Sequence, residues 1–363
     1  MNLFFPRKTP DAGVALAMVM IAIGVFSFLA AALWMMMKVE TMLAHKADNE
    51  EQLLWLGRSG VEYARWILSQ ESSIAGQPYD SLNQIWAGGP GGLGETNSVL
   101  AGISLDNYQI GDGTVSLKII DRERFANINT ANAQELQQTL TLMGVDADSL
   151  SVVSDSILDW IDTDDAQRLA GAESDYYQSL LPPYYAKNAP MDDLSELLLV
   201  KAVTPEMYYG PNLTNAFVPQ RPRTPKLGFG NAPGEIPQYP FGLVDMFTPI
   251  SSGLININTA GTNVLQIIPG VDAQIAATII QRRAGPDGID GTADDTPFRS
   301  PNDLATAGVN PQVVGQSGNY CTVRSQTFEV HVTARIGIQS REFVALLFRN
   351  SGTDVQILNF YWQ

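Results

Sequence analysis

Val14 to Met37 reads VALAMVMIAIGVFSFLAAALWMMM, an uncharged apolar run that follows Arg7 and Lys8. This run decides the structure of the N-terminal part of the chain. As a helix rising 1.5 Å per residue, this run spans roughly 36 Å, which is enough to cross a bilayer. The two basic residues ahead of it predict a cytoplasmic N-terminus and an exported remainder. We therefore expect one membrane-spanning helix over 14–37.

The helical pattern continues beyond the apolar run. From Lys38 to Gln70 apolar residues recur at helical spacing among charges, with no proline. We expect one long helix over 14–75 rather than an anchor followed by a flexible linker. An uncleaved anchor remains an alternative, as does a secretory signal cut after Ala30-Ala31-Ala32.

Composition argues against several classes of function. The net charge is −16 and the pI about 4.4, which makes nucleic acid a poor partner. Cys321 is the single cysteine, so no internal disulfide is possible, and only His45 and His331 could serve it as a base. The sequence has no Walker A, G-x-S-x-G or H-E-x-x-H motif, so we expect no enzyme.

Strand patterns lie on both sides of a long middle region. Residues 108–120 alternate apolar and polar around Gly-Asp-Gly, which predicts a hairpin. Three further strands are predicted over 328–338, 343–349 and 355–362. Because strands before and after the middle can share one antiparallel sheet, the middle, 122–320, becomes an insertion in an α+β fold.

The middle region contains an internal repeat. FANINTANAQEL at 125–136 matches LININTAGTNVL at 254–265. Each copy predicts a helix capped by its asparagine-containing turn, then a Gly-Val-Asp turn and a second helix. The inserted domain is therefore predicted to be mostly α-helical and built from two related helical-hairpin units, 125–209 and 254–315.

The second copy also resembles helix-hairpin-helix proteins that grip DNA backbones. There a Pro-Gly turn, here Pro269-Gly270, donates backbone N–H groups to a phosphate. Arg282 and Arg283 are the nearby basic pair, but Asp272 opposes a phosphate. The alternative function is accordingly a membrane-anchored helix-hairpin-helix protein that binds DNA in a competence or type IV pilus system.

Two acidic clusters follow the second helix of each copy. Crowded carboxylates repel one another unless they are solvated or bridged by a cation, and Ca²⁺ takes six to eight oxygens. A simpler interpretation is that both clusters are solvated turns. A third interpretation is that they are the paired carboxylates of a secreted acidic hydrolase whose mature chain starts near Ala32. The candidate calcium ligands are Asp159, Asp162, Asp164, Asp165, Glu173, Asp175, Asp287, Asp290, Asp294 and Asp295.

Residues 159–208, DWIDTDDAQRLAGAESDYYQSLLPPYYAKNAPMDDLSELLLVKAVTPEMY, resemble the α-domain of the type II secretion minor pseudopilin K family. Gly13 before the apolar helix resembles a prepilin site, which implies cleavage after Gly13 by prepilin peptidase and a new N-terminus at Val14. Most pseudopilins carry glutamate as the fifth mature residue. The K subfamily lacks it, and Met18 fits that pattern.

The resemblance implies a non-enzymatic subunit that caps the pseudopilus tip and primes assembly of the fibre. It implies an inner-membrane protein with a periplasmic bulk, calcium in the α-domain, and the minor pseudopilins I and J and the major pseudopilin as partners. The Pro- and Gly-rich 219–249 is expected to be a surface loop. The implied organisation is leader 1–13, helix 14–75, first part of the pilin-like sheet domain 76–121, insertion 122–320 and C-terminal strands 321–363.

Overall fold

A computed structural model describes residues 12–74, 77–92, 98–211, 239–315 and 317–362. The predicted α+β architecture is confirmed: a long N-terminal helix packs on an antiparallel sheet, and a mostly helical region lies between two strands of that sheet. The strands, numbered in chain order, are β1 (Tyr108–Ile110), β2 (Gly113–Asp121), β3 (Ala126–Asn127), β4 (Phe247–Thr248), β5 (Ile255–Asn256), β6 (Cys321–Thr322), β7 (Thr327–Ile336), β8 (Gln339–Arg349) and β9 (Val355–Trp362).

Helix α1 (Ala12–Glu71) has two different halves. Its N-terminal half exposes its apolar side chains and contains a window long and apolar enough to span a membrane, with mean hydropathy 2.6. From Leu53 onward, one face is buried against the sheet. Gly57 and Gly60 permit the close approach, since a Cβ at either position would lie 2.4 Å from Phe343 or Val332.

The main sheet has the order β1-β2-β7-β8-β9, and every neighbouring pair is antiparallel. The predicted hairpin is present, with Ile110 opposite Gly113. Gly111 in its turn has φ of 57°, a conformation that glycine adopts without steric cost. The chain leaves this sheet after β2 and returns to it at β7.

Short helices fill the region between β2 and β7. Each of two segments is closed by a pair of two-residue parallel strands, β3 with β4 and β5 with β6. The predicted units, 125–209 and 254–315, overlap these segments, which run over 126–248 and 255–322. The helices are α2 (Ala133–Met143), α3 (Ala147–Ile161), α4 (Ser174–Gln178), α5 (Pro205–Tyr209), α6 (Thr262–Leu265), α7 (Ala273–Arg283) and α8 (Pro311–Val314). The 3₁₀ helices within the two segments are Leu194–Leu199, Leu243–Asp245, Pro301–Ala307 and Ser317–Asn319.

The repeated asparagines have a role other than the predicted helix cap. Asn129 Oδ1 accepts from Met191 N at 2.7 Å and Nδ2 donates to Met191 O at 3.0 Å. Asn258 makes the equivalent pair with Phe298, at 2.8 and 2.9 Å. Helix α2 is capped instead by Asn132, while the α6 cap, Gly261, has no side chain to offer. The motif therefore ties each unit's first turn to a distant backbone segment.

The buried apolar side chains form two clusters. One combines α1 from Leu53 onward with the main sheet, and the other contains residues between 126 and 323. The domain limits drawn from the sequence stay predictions, and the change between clusters falls near 121–126 and 323–328. Within the proline-rich stretch, 219–238 lies outside the described residues. The rest is not a surface loop, because Leu243, Met246 and Phe247 are buried.

A buried polar network joins the sheet to the inserted domain. Asp121, at the end of β2, accepts from Asn256 Nδ2 at 3.1 Å and from Ser325 Oγ at 2.7 Å. Glu123 accepts from the backbone N–H groups of Ser252 and Thr327, both at 3.0 Å. Burial, with Asp121 as a neighbour, raises the pKa of Glu123 to about 8. These bonds fix the start of the insertion relative to the sheet.

The insertion lies at the end of the sheet where α1 finishes. Gly113, at the start of β2, packs beside Leu56, whereas the segment entering β7 reaches the end of the helix, where Arg324 Nη2 donates to Ser72 O at 3.4 Å. Ser72 Oγ also donates to Gly352 O at 2.5 Å. The inserted domain is thus attached at the end of α1 opposite its exposed apolar half.

Candidate metal site in the inserted domain

Three carboxylates converge after α3. Asp159 lies in the last turn of that helix, Asp162 follows the helix end, and Glu173 precedes α4. One oxygen of each lies within 4.8 Å of the others, and Asp159 and Glu173 are buried. These three residues are called the acidic cluster below.

Aromatic packing holds the two sides of the acidic cluster together. Tyr177 of α4 is fully buried, and its ring packs edge-to-face on Trp160 of α3 with centroids 5.2 Å apart. Burial raises the pKa of Tyr177 to about 12, and its hydroxyl accepts from Lys201 N at 3.2 Å. Because Tyr177 and Trp160 are near neighbours of Glu173 and Asp159 in sequence, this contact sets the distance between the carboxylates.

Arg168 is the cation of the acidic cluster. Its Nη1 donates to Asp159 Oδ1 at 2.8 Å and to Asp162 Oδ2, and its backbone N–H also points to Asp159. These bonds raise the pKa of Arg168. One guanidinium beside three carboxylates, if all are ionised, leaves two negative charges, which matches a divalent cation.

Several oxygens of the acidic cluster lack hydrogen-bond partners among the described residues: Asp162 Oδ1 and both carboxylate oxygens of Glu173. Burial, followed by the charges of Asp159 and Asp162, raises the pKa of Glu173 to about 7. A buried carboxylate without donors is costly unless it is protonated or binds a cation. Carboxylate oxygens suit a hard cation such as Ca²⁺, so these residues fit the predicted ion.

Three further residues, none of them among the predicted ligands, shape the acidic cluster. Gly171 lets the backbone approach, since a Cβ there would lie 2.0 Å from Asp159 Oδ2. Arg168 supplies the counter-charge, and Asn188 Oδ1 is buried without a hydrogen-bond partner among the described residues. The glycine in AGAESD and the lone arginine inside an acidic run were the available signals.

The remaining candidates of the first loop lie outside the acidic cluster. Asp164 accepts from the N–H of Ala166 at 2.8 Å, which makes a local turn. Asp165 accepts from Asn188 Nδ2 at 2.9 Å and stays exposed, as does Asp175. Asp164 and Asp165 therefore contribute negative potential near the acidic cluster.

The second acidic loop closes on itself. Asp294 accepts from Asp287 N at 3.0 Å, and Asp295 accepts from Gly291 N at 2.8 Å. Asp290 pairs with Arg283 at 2.7 Å. Asp287 accepts from Ile289 N at 2.8 Å, so all four candidates of this loop have protein donors. No cluster of three metal-ligating side chains forms here among the described residues.

One of the two arginines of the predicted helix-hairpin-helix site is buried. Arg283 is 4% exposed, and its Nη1 donates to the carbonyls of Ile257 and Ala260, both at 2.8 Å. Asp272 caps α7 by accepting from Ile275 N at 2.8 Å. Arg283 therefore stabilises the fold and is not available to a phosphate.

The predicted cleavage position lies at the start of α1. Gly13 is within the helix, and Val14 and Met18 are exposed on it. Residues 1–11, most of the predicted leader, lie outside the described residues.

The region that contains the acidic cluster is similar to known proteins. Residues 115–210 match the family model described as type II secretion system (T2SS), protein K. This part of the chain is similar to the type II secretion protein K family. It is 31% identical over 114 residues to the putative type II secretion system protein K of Escherichia coli K12, and 27% identical over 116 residues to the type II secretion system protein K of Pectobacterium carotovorum subsp. carotovorum.

The protein K matches are partial in sequence and extensive in fold. Each covers 28% of this chain and 35% of the relative, so the chain matches about a third of the length of these curated proteins. A chain in the crystal structure of the GspK-GspI-GspJ complex of enterotoxigenic Escherichia coli superposes with a TM-score of 0.62. That match covers 88% of this chain and 99% of the other at 18% identity, which is evidence for a shared fold.

Proposed function

We propose that this chain is a non-enzymatic minor pseudopilin that caps the tip of the type II secretion pseudopilus and primes its assembly, supporting export of folded proteins across the outer membrane. The observation that carries the proposal is the placement of the inserted domain. It is attached where α1 ends, opposite the apolar half of the helix. A subunit of this shape fits one end of a fibre, because the bulky domain leaves α1 free to pack beside other helices below it.

The N-terminal helix supports a single-pass anchor in the inner membrane. Its exposed apolar half suits a lipid environment, and its second half is buried on its own sheet. We place the cut of the prepilin peptidase after Gly13 and the mature N-terminus at Val14. The uncharged Met18 then avoids placing an unpaired carboxylate within the membrane. This suits a terminal subunit, which has no neighbouring subunit ahead of it to neutralise such a charge.

The partners we propose are the counterparts of the subunits named with the matched crystal structure, minor pseudopilins I and J, together with the major pseudopilin. Long helices packed side by side would join them. The fold similarity supports this assembly. For the acidic cluster we propose Ca²⁺, held by Asp159, Asp162 and Glu173, which would link the end of α3 to the start of α4.

N-terminal sequencing tests the anchor. In cells with the prepilin peptidase we expect a start at Val14, and in cells without it the leader stays attached. A peptidase-independent start near Ala32 would identify a secretory signal and refute the proposal.

Electron microscopy with immunogold tests the tip position. Antibodies to the inserted domain should label one end of each fibre, whereas antibodies to the major pseudopilin should label its whole length. Labelling of the inserted domain along the fibre would rule out a cap. The DNA-binding alternative receives no support from the comparisons, and it predicts a salt-dependent gel shift that we do not expect.

A further inference from the structure

Two carboxyl groups are buried side by side where the inserted domain joins the main sheet. Asp121 is the last residue of β2 and Glu123 follows two residues later, and they are 2% and 0% exposed. Side chains two residues apart in an extended chain point to the same side, and these two carboxyl groups lie within hydrogen-bonding range of each other. They are called the carboxyl pair below.

The carboxyl pair connects both sides of this joint. From the inserted domain it accepts hydrogen bonds from Ser252 N at 3.0 Å, Asn256 Nδ2 at 3.1 Å and Thr259 Oγ1 at 2.5 Å. From the start of β7 and the segment before it, the pair accepts from Thr327 N at 3.0 Å and Ser325 Oγ at 2.7 Å. Because donors from both sides meet at the same two side chains, the orientation of the inserted domain on the sheet depends on the carboxyl pair.

The positive charge near the carboxyl pair is too small for three ionised carboxylates. Asp80 is buried close to Asp121, and Arg349 forms an ion pair with it. Arg124 is half-buried within electrostatic range of Asp121, and it forms no ion pair among the described residues. Two guanidinium groups therefore face three carboxyl groups. Because an uncompensated buried charge is costly, we expect one of the three carboxyl groups to keep its proton.

The other charged groups around the joint do not supply a third positive charge. Each further arginine is paired with a carboxylate or bonded to a backbone carbonyl, the remaining acids add no positive charge, and the lysine is exposed to solvent. These groups are Arg283 with Asp290, Arg122 with Glu329, Arg324 with Ser72 O, the buried Glu71, and the exposed Lys118 and Asp106. One proton restores the balance, because two carboxyl groups in contact cannot both ionise at low cost.

We propose that Asp121 and Glu123 share one proton and form a pH-sensitive latch between the sheet and the inserted domain. With the proton in place, the inserted domain is held in one orientation. Without it, two carboxylates repel each other inside the joint, and the inserted domain becomes mobile about it. The latch does not depend on whether the inserted domain caps a fibre.

The protonation of the carboxyl pair sets the pH range of the latch. Burial, and next the charge of Asp121, raises the pKa of Glu123 from 4.5 to about 8, and burial also raises the pKa of Asp121. Because the folded-state pKa of Glu123 lies above its ordinary value, the contribution of the latch to stability is fully present below about pH 4.5 and is lost as pH rises through about 8. We therefore expect a closed joint at neutral pH and a released joint in mildly alkaline solution.

Distances between spin labels test the latch in the full-length protein in detergent. Cysteines for labelling replace Tyr185 of the inserted domain and Ile338 between β7 and β8, both of which are exposed, and Cys321→Ala removes the natural cysteine. We expect double electron–electron resonance to give one narrow distance distribution at about pH 6 and a broader or shifted one at about pH 9.5, with the midpoint near pH 8. Identical distributions at both pH values overturn the proposal.

A second label pair separates release of the latch from unfolding. Cysteines at Tyr185 and the exposed Ile289 lie within the inserted domain, and their distance distribution should not change with pH. A change in this pair equal to that between the inserted domain and the sheet would mean that the inserted domain unfolds, which refutes the latch.

Variants assign the pH response to the carboxyl pair. Glu123→Gln keeps the size of the side chain and leaves two carboxylates with two guanidinium groups, so the distribution should stay narrow at both pH values. Glu62→Gln, on the exposed face of α1, is the control and should respond like the wild type. Should Glu123→Gln fail to fold, Asp121→Asn makes the same change in charge. A pH response in either variant that matches the wild type refutes the assignment.

Discussion

Replacing Glu173 by glutamine removes one carboxylate from the acidic cluster and keeps the shape of the side chain. Two unit charges 4.8 Å apart at an effective dielectric constant of about 20 repel by about 3 kcal/mol. In chelator, Glu173→Gln should therefore be at least as stable as the wild type, because repulsion with Asp159 and Asp162 is relieved. In calcium the order should reverse, because a ligand is missing.

The size of the calcium effect follows from binding linkage. At a free concentration of about 100 times Kd, an ion that binds only the folded state contributes about 2.7 kcal/mol. This corresponds to a rise of about 5–10 °C for a domain of some 200 residues. If Glu173→Gln weakens binding about tenfold, the contribution falls to about 1.4 kcal/mol and the rise is roughly halved.

Differential scanning fluorimetry with chelator, calcium or magnesium measures these shifts. Asp294→Asn is the matched control, because it removes one charge from the equivalent acidic loop, whose carboxylates already accept from protein donors. We expect that variant to keep the full calcium response. A wild type that melts at the same temperature in calcium and chelator would refute calcium binding, and an undiminished response in Glu173→Gln would exclude this carboxylate as a ligand.

Three further predictions concern the fold. Gly60→Leu should lower the free energy of unfolding by about 1–3 kcal/mol in urea, since even a Cβ would lie 2.4 Å from Val332; an unchanged midpoint would contradict the packing. Asn258→Ala should cost about 2–3 kcal/mol by the same measurement, because two buried backbone groups lose their partner, and a loss below about 0.5 kcal/mol would disprove that role. Hydrogen bonding to Glu329 raises the pKa of His331, so its contribution is present below about pH 6.5 and lost as pH rises through the higher folded-state pKa. A His331→Gln variant should thus lose the extra stability of the wild type at pH 6 and match it at pH 9, and parallel stability curves would count against the ion pair.

The local period of apolar residues predicts the helices and strands. The uncharged run from Val14, the helical spacing up to Gln70 and the alternation on either side of Gly111 each contain their own signal within a few residues. The repeated asparagine motif likewise predicts two related units. For that reason the long helix, the hairpin and the helical insertion could be predicted from sequence.

Tertiary structure decided which of the predicted residues meet. Ten carboxylates had the right chemistry, but only Asp159, Asp162 and Glu173 converge among the described residues, because a chain reversal and the packing of Tyr177 on Trp160 bring them together. The other acidic loop closes on its own backbone N–H groups instead. Sequence spacing cannot distinguish these outcomes, because both loops are acidic and rich in turn residues.

The contact between the end of α1 and the segment that enters β7 had no sequence signal at all. Ser72, Arg324 and Arg349 are far apart along the chain, and each is unremarkable in its own stretch. They become neighbours because β2 and β7 carry the insertion to the end of α1. Local sequence patterns specify the helices, the strands and the repeat, whereas the pairing of charged groups depends on long-range contacts that only the folded chain makes.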